Sequence, residues 1–486
     1  LESRRNRCLV VGEDLGTVPD EIRTALAQRG ILSCRLLYFE RDEDGDFKAP
    51  GEYPRDALVA VGTHDLPTLN GWWQGRDLRV RRELGLIDED SLQQQLCERA
   101  GDRTRLLEAL ARADRLPPGA SVKSAASSAL DPALVEAIHA YLADTPSRVM
   151  LLQIEDALGI VEQTNLPATV DEHPNWRRKL PVTLERMAGS EAIGRLAFTL
   201  SRLRLSPVAH SPDPPRSLQA RVSRATYRLQ FHRAFTFDDA VRIVPYLARL
   251  GISHVYCSPI LKARPGSTHG YDIVAHDEIN PELGGAAGFG RFGAALREHG
   301  MGQLLDMVPN HMGVLGADNA WWMDVLENGP ASAHARHFDI EWEPVDPELR
   351  GKVLLPVLGA HYGDVLAGED LHLAFEPQTG SLALRYHEHR FPLDPRTYAP
   401  VLTRARALAP DEAAQAALAR LAAAFGGLPP REAQGDQALA DRARNKELHK
   451  ASLARLAAGD LAASRAIEAA LAELNGNGPR DALHEL

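Results

Sequence analysis

Cysteine is scarce in this chain. The four cysteines, Cys8, Cys34, Cys97 and Cys257, are scattered and form no CxxC pair, which argues against a disulfide framework or a zinc site. Three of them sit in apolar, strand-like runs and read as small core residues, a usage that points to a reducing cytoplasm. No stretch approaches the roughly 20 apolar residues of a membrane span. An excess of positive charge is missing too. The formal net charge is −11, which argues against non-specific binding to nucleic acid or anionic membrane and suits a neutral, hydrogen-bonding ligand. An initial methionine is also absent: the chain begins at Leu1 and ends in "GPRDALHEL", which looks like the start of a helix. Both ends look cut, which leaves open a leader upstream.

What is present is a soluble globular composition, 44% apolar and 25% charged, over 486 residues. That length favours two or three domains. Apolar runs at 7–13, 31–40, 56–65 and 147–156 end in polar residues and alternate with helical segments such as "PDEIRTALAQRG". This is the pattern of a parallel α/β sheet or barrel. The pattern stops at 205–218, where "LSPVAHSPDPPRS" reads as an extended linker. It restarts with strands at 224–231, 253–260 and 302–311 and helices at 236–251 and 288–300. Thr236 and Asp239 stand as in a capping box, with Asp replacing Glu. "GKVLLPVLG" and "LALRYHEHRFPL" predict short strands of an inserted β-rich subdomain at about 315–400, and an Ala-rich helical region follows to 486. Those alanines reflect helix propensity rather than function.

The chemistry-bearing residues gather at strand C-termini. Glu13 and Asp14 end one strand, and His64 and Asp65 end another; Trp72–Trp73 and Asn175–Trp176 follow. Paired carboxylates with aromatics nearby suit glycosyl transfer, in which one acid protonates the glycosidic oxygen and another stabilises an oxocarbenium-like transition state. Each pair alone is more often a cap or salt-bridge partner, and a Trp pair more often core than sugar platform.

"VVGEDLGTVPDEIRTAL", "ILSCRLLYFE", "YPRDALVAVGTHDLPTLNGWWQG" and "NLPATVDEHPNWRRKL" together resemble the C-terminal half of the 4-α-glucanotransferases, the amylomaltase or disproportionating-enzyme family of the α-amylase clan. The resemblance runs over residues 7 to about 204. It implies a (β/α)8 barrel, with Glu13 as general acid/base, Asp65 as transition-state stabiliser, and His64 and Asp14 as substrate contacts. One departure is that the family's usual Gly in "NLPGT" is Ala168 here. If that position needs positive φ the loop is mildly strained.

The second half carries "RATYRLQFHRAFTF", "GISHVYCSPILKARPGSTHGYD", "LLDMVPNHMGV", "WWMDVLENGP" and "RYHEHRFPLDPRTY". These resemble the maltooligosyl trehalose synthases, which isomerise the reducing-end α-1,4 bond of a maltodextrin to an α,α-1,1 bond. The resemblance covers 219–486. It implies that Tyr271 stacks on a glucose and that Asp272, Asp306, Asn310 and His311 line its subsite. Asn310 matches a calcium ligand of related amylases, but trehalose synthases of this type are expected to need no metal or other cofactor.

The expected fold is therefore two incomplete (β/α)8 barrels: 1–204, a linker at 205–218, and 219–486. In both families the nucleophilic Asp ends the fourth barrel strand, and no segment here resembles that strand. The expectation is the junction of a longer fusion acting on maltooligosaccharides, inactive when made alone. A non-catalytic glucan-binding or scaffolding protein is the alternative. A single permuted barrel is a third reading, which would need seven strands of unlike origin to match in tilt and shear. The sequence does not speak to oligomeric state.

Overall fold

The apolar runs pair in chain order. In the N-terminal half, β1 (Val11–Gly12), β2 (Leu32–Leu36), β3 (Ala57–Ala60) and β4 (Val149–Met150) form one parallel sheet in the order β1-β2-β3-β4. The computed structural model describes Arg5, residues 8–16, 18–169, 171–187, 189–204, 223–433 and 435–477, and Leu483. The linker expected at 205–218 lies outside the described residues. The chain divides into two compact units, Leu1–Val222 and Ser223–Leu486.

In the N-terminal unit the register places Ser33 of β2 between Gly12 of β1 and Ala57 of β3. All strands run the same way, so the loops after them share one edge of the sheet. Long helices cover the sheet. Glu89–Arg112 is started by Asp88, whose carboxylate accepts from Ser91 N at 2.8 Å. The core gathers Leu37, Val59, Leu69, Leu106, Leu110, Ile138 and Tyr141, each no more than 2% exposed. Trp72 and Trp73 belong to this core. Trp72 stacks on Tyr38 at 5.2 Å, and the Trp73 indole donates to Ser127 O at 3.0 Å. Of the cysteines, Cys34 in β2 is buried, whereas Cys8, expected in the core, is exposed.

Under that core lies a buried pair with a built-in pH dependence. His139 Nδ1 faces Val135 O at 2.8 Å, so it carries the hydrogen, and Nε2 presents a lone pair toward Asp156 Oδ2 at 3.8 Å. Asp156 Oδ1 accepts from Leu69 N at 2.7 Å. Burial lifts the Asp156 carboxyl to about 7. A carboxyl raised in the folded state costs stability as pH climbs from the unfolded value of about 4 toward 7. Asp156→Asn removes that cost and supplies a permanent donor toward His139. Its melting temperature is expected to gain on the wild type between pH 5 and pH 8, with an upper bound of about 4 kcal/mol. A gap that stays constant with pH, or a wild type that leads at pH 8, would contradict this assignment.

The C-terminal unit begins with a second parallel sheet, β5 (Thr226–Leu229), β6 (His254–Cys257) and, later in the chain, β9 (Gly302–Leu305). Between β6 and β9 the chain makes an antiparallel hairpin, β7 (Leu261–Ala263) and β8 (Ile273–Ile279), which the sequence pattern did not predict. Asp239 Oδ2 accepts from Thr236 N at 2.7 Å at the start of the helix Phe237–Arg249. Phe231, Phe237 and Phe292 pack beneath the sheet.

Residues 315–400 meet the β-rich expectation only in part, with "LALRYHEHRFPL" falling in two strands. The helix Ala320–Asn328 comes first, and the strands are confined to one meander, β10 (Leu371–Glu376), β11 (Ser381–Tyr386) and β12 (His389–Pro392). "GKVLLPVLG" (351–359) forms no strand. It is apolar but finds no ladder partner, and Leu354 is 87% exposed. Four helices follow: Tyr398–Leu408, Glu412–Gly426, Asp436–Gly459 and Leu461–Ala472. Their alanines let them pack closely around Leu418, Phe425, Leu453 and Ile467. Among the described residues, no helix is long and apolar enough to cross a membrane.

Candidate active site

Glu13 directly follows β1, and Asp65 lies on the loop after β3. Because β2 separates their strands, the two backbones stand about two strand spacings, roughly 10 Å, apart at the same sheet edge. Glu13 is exposed. The neighbouring Cys34 thiol is pushed up to about 12, first by burial and then by the charges of Glu13 and Asp14. Asp14 points the other way. It is 6% exposed, and it accepts from Cys34 N at 2.8 Å and sits 3.4 Å from both Arg23 and Arg35. Those contacts tie β1 to β2 and leave Asp14 the geometry of a scaffold residue.

Asp65 is held differently. Its side chain is 45% exposed, its Oδ1 accepts from Asn165 Nδ2 at 2.6 Å, and His64 Nε2 lies 3.5 Å away. The segment "EQTNLPATVDEHPNW" builds this pose. Gln163 Nε2 donates to Asp65 O at 2.9 Å and to Asn165 O at 2.6 Å. Asn175 accepts from Leu166 N at 2.9 Å and donates to Thr169 O at 3.0 Å. The loop turns through two non-glycine residues with positive φ, Ala168 at 66° and Trp176 at 60°. At Ala168, where a glycine was expected, the left-handed backbone costs about 1–2 kcal/mol. The strain at Trp176 brings its ring to 5.0 Å from the His64 ring, and bulky residues in this region mark sites that the surroundings over-determine. Gln163 and Asn165 were not among the residues singled out in the sequence, whereas Asn175 and Trp176 were. The signal for Gln163 and Asn165 was a polar, proline-punctuated loop following a buried strand.

In the C-terminal unit, three neighbouring strands each contribute one group. Arg228 on β5 and Tyr256 on β6 are direct register partners, and Asp306 follows β9. Asp306 Oδ2 accepts from Tyr271 Oη at 2.6 Å, and Tyr256 Oη and Arg228 Nη1 both lie 3.4 Å away. The Arg228 guanidinium sits 4.5 Å from the Tyr256 ring centre and donates to Tyr271 Oη at 3.1 Å. Burial, and then the Asp306 carboxylate, push the Tyr271 phenol well above its ordinary range against the opposing pull of Arg228. All of these contacts fall on Oδ2, so Oδ1 can accept from a ligand hydroxyl.

Tyr271 arrives on the β7–β8 loop. Gly270 has φ +81°, and a Cβ there would stand 2.9 Å from Pro259 O, so only glycine lets the loop turn inward. His311 Nε2 donates to Tyr271 O at 3.0 Å. Asp272 instead accepts from Ser267 Oγ at 2.5 Å and closes its own loop. Asn310 is exposed on the loop after β9. Arg228 and Tyr256 went unselected, although an arginine inside an apolar strand is a legible signal. Among the described residues, no three His, Cys, Asp or Glu side chains are grouped to hold a metal ion.

Residues 1–184 match the family model described as 4-alpha-glucanotransferase, and residues 241–358 match the model described as alpha amylase, catalytic domain. The 4-alpha-glucanotransferase of Haemophilus influenzae is 41% identical over 193 residues, covering 40% of this chain and 27% of that protein. A Mycobacterium tuberculosis protein provisionally named a maltooligosyl trehalose synthase is 45% identical over 170 residues, covering 32% of this chain and 22% of its own length. The crystal structure of amylomaltase from Corynebacterium glutamicum aligns at 31% identity with a TM-score of 0.37, covering 40% of this chain and 29% of that one. The chain thus joins a segment similar to 4-alpha-glucanotransferases to a segment similar to alpha-amylase catalytic domains and to maltooligosyl trehalose synthases. It spans about a quarter of the length of each of these curated relatives.

Proposed function

We propose that the N-terminal unit supplies the acid and the charge stabiliser of α-1,4-glucan transfer, and that the C-terminal unit supplies sugar contacts for converting a maltodextrin end to a trehalose end. Each sheet serves as part of a (β/α)8 barrel, with domains at 1–204 and 219–486. The observation that carries this reading is the pose of Asp65, half-exposed yet held by Asn165 and His64, at the same strand edge as Glu13. A carboxylate fixed in this way is pre-oriented toward a developing positive charge, and needs no rearrangement as the glycosidic bond breaks. Glu13, open to solvent one strand beyond β2, can carry a proton to the leaving oxygen. Trp176 offers an aromatic face beside His64. In the second unit, Tyr271 and Asp306 present a ring and a carboxylate oxygen to one sugar. The unpaired cysteines support a cytoplasmic setting.

Calorimetric titration of maltotetraose against the chain tests both halves. Weak saturable binding is expected, with His64→Ala and His311→Ala each lowering affinity about three- to tenfold, the worth of one hydrogen-bonding contact. No binding, or wild-type affinity in both variants, would refute the assigned subsites.

A further inference from the structure

In the N-terminal unit, a groove of about 380 Å³ opens between the helices Leu69–Gln74, Arg76–Glu83 and Glu89–Arg112. Arg79, Arg99 and Arg103 line it, and no carboxylate does. This is an odd feature in a chain whose net charge is −11. Asp77, just outside, spends both oxygens on Arg99, at 3.1 and 3.0 Å. Arg103 has no such partner. Its Nη1 is shared between the carbonyls of Trp73 at 3.1 Å and Ser127 at 3.3 Å, and its Nε is buried with no acceptor. Burial, and then the nearby charge of Arg99, press its pKa downward. Arg79 is exposed and donates to Gln74 O at 2.5 Å. Arg103, half-buried, thus faces the groove with two backbone carbonyls and the Trp73 ring, 5.6 Å away, as partners, a poor match for a cation, and Arg79 adds a second, exposed guanidinium whose acceptor is also a neutral carbonyl. The rest of the lining combines Trp73, Gly75, Leu96 and Ala126 with the neutral polar groups of Gln74 and Ser128.

We propose that this groove binds a small phosphate monoester, with the oxyanion on Arg79 and Arg103 and the neutral, hydroxyl-bearing part against Gln74 and Ser128. A phosphate offers three terminal oxygens to donors approaching from different helices, which a carboxylate cannot do, and the planar guanidinium fork matches it. The residues that hold the Asp65 side chain, Asn165 and His64, are not part of the groove lining. Its ligand is therefore independent of the glucan reading.

Calorimetry on the whole chain, with glucose 6-phosphate, inorganic phosphate and glucose as probes, tests this. Saturable binding of the ester that weakens with added salt is expected, with inorganic phosphate weaker and glucose silent. Arg103→Gln and Arg79→Gln should each lower ester affinity about tenfold or more, as loss of a charge-assisted contact requires. Asp65→Asn should leave it unchanged. Arg79 is exposed, so its variant keeps the fold and decides the matter if Arg103→Gln melts early in circular dichroism. Failure of the ester to bind, equal binding of glucose or of inorganic phosphate, undiminished binding by a folded Arg79→Gln, or loss of binding in Asp65→Asn would each overturn the proposal.

Discussion

Replacing Glu327 by Gln is expected to lower the stability of the C-terminal unit by about 3–5 kcal/mol, the cost of breaking a buried ion pair and stranding its partner. Glu327, Lys446 and Lys450 are 6%, 7% and 6% exposed. Lys446 Nζ donates to Glu327 Oε2 at 2.7 Å, and Lys450 Nζ donates to Oε1. Glu327 thus bridges two ammoniums that the helix Asp436–Gly459 carries one turn apart on a single face, while the more exposed Glu447 lies 2.6 Å from Lys446 and 3.6 Å from Lys450, and Asp324 lies 3.6 Å from Lys446. Arg442, a turn earlier, is 1% exposed and reaches Asp394 at 2.7 Å. Burial alone would raise the Glu327 pKa, but the charges and hydrogen bonds of Lys450 and Lys446 bring it below its ordinary value. A depressed carboxylate contributes stability that is present above its unfolded pKa, near 4.3, and is lost as pH falls through the folded value. Chemical denaturation of wild type and variant at pH 7 and pH 3.5 checks both parts. The difference should be large at pH 7 and shrink at pH 3.5. Adding Lys450→Met to Glu327→Gln should recover part of the loss, because it removes one stranded charge. A variant that unfolds with the wild type at pH 7 would show that the triad is hydrated rather than buried.

The second large effect is on turnover. Incubated with maltotriose, the chain by itself is expected to release no glucose and redistribute no chains. Retaining transfer needs a carboxylate that attacks the anomeric carbon, beyond the acid and the stabiliser. Three carboxylates other than Glu13 and Asp65 at the strand ends of the N-terminal unit are committed elsewhere. Asp14 is tied to Cys34 N and two arginines. Glu40 is paired with Arg35 at 3.3 Å and Lys48 at 3.0 Å. Asp156 is 1% exposed behind Leu69 N. Loss of a nucleophile has cost on the order of 10⁶ in rate in another enzyme class, which would put any residual activity below detection. Glucose release above background would mean that one of the three, or Glu155 beside Asp156, is acting as nucleophile. Glu40→Gln and Asp14→Asn, assayed beside Glu13→Gln, would then show which. Binding of maltotetraose without turnover is also what a glucan-binding scaffold would do. Restoration of transfer in a longer polypeptide containing this chain, and its loss on Glu13→Gln, separates the two readings.

The strands, their parallel pairing and the break between two α/β modules were legible in the sequence by itself. Apolar runs such as "DALVAVG" and "SHVYCSP" bury side chains on both faces of a sheet, and that burial follows from composition and local order. The placement of Glu13, Asp65 and Asp306 at or past strand ends was legible for the same reason, whereas Tyr271 lies on the β7–β8 loop, in a hairpin that the pattern did not predict. Only the tertiary structure decided which neighbours restrain them. Asn165 reaches Asp65 across 100 residues of chain, and Arg228 reaches Asp306 across 78. Hydrogen bonds over such separations leave no periodic trace. The apolar run at 351–359 was misleading because a strand exists only where another backbone offers a ladder. The charged residues of Asp436–Gly459 look like a solvated face when the helix is read alone. They are buried because Glu327 and Asp394, more than forty residues earlier, fold against them and supply the counter-charge that burial demands.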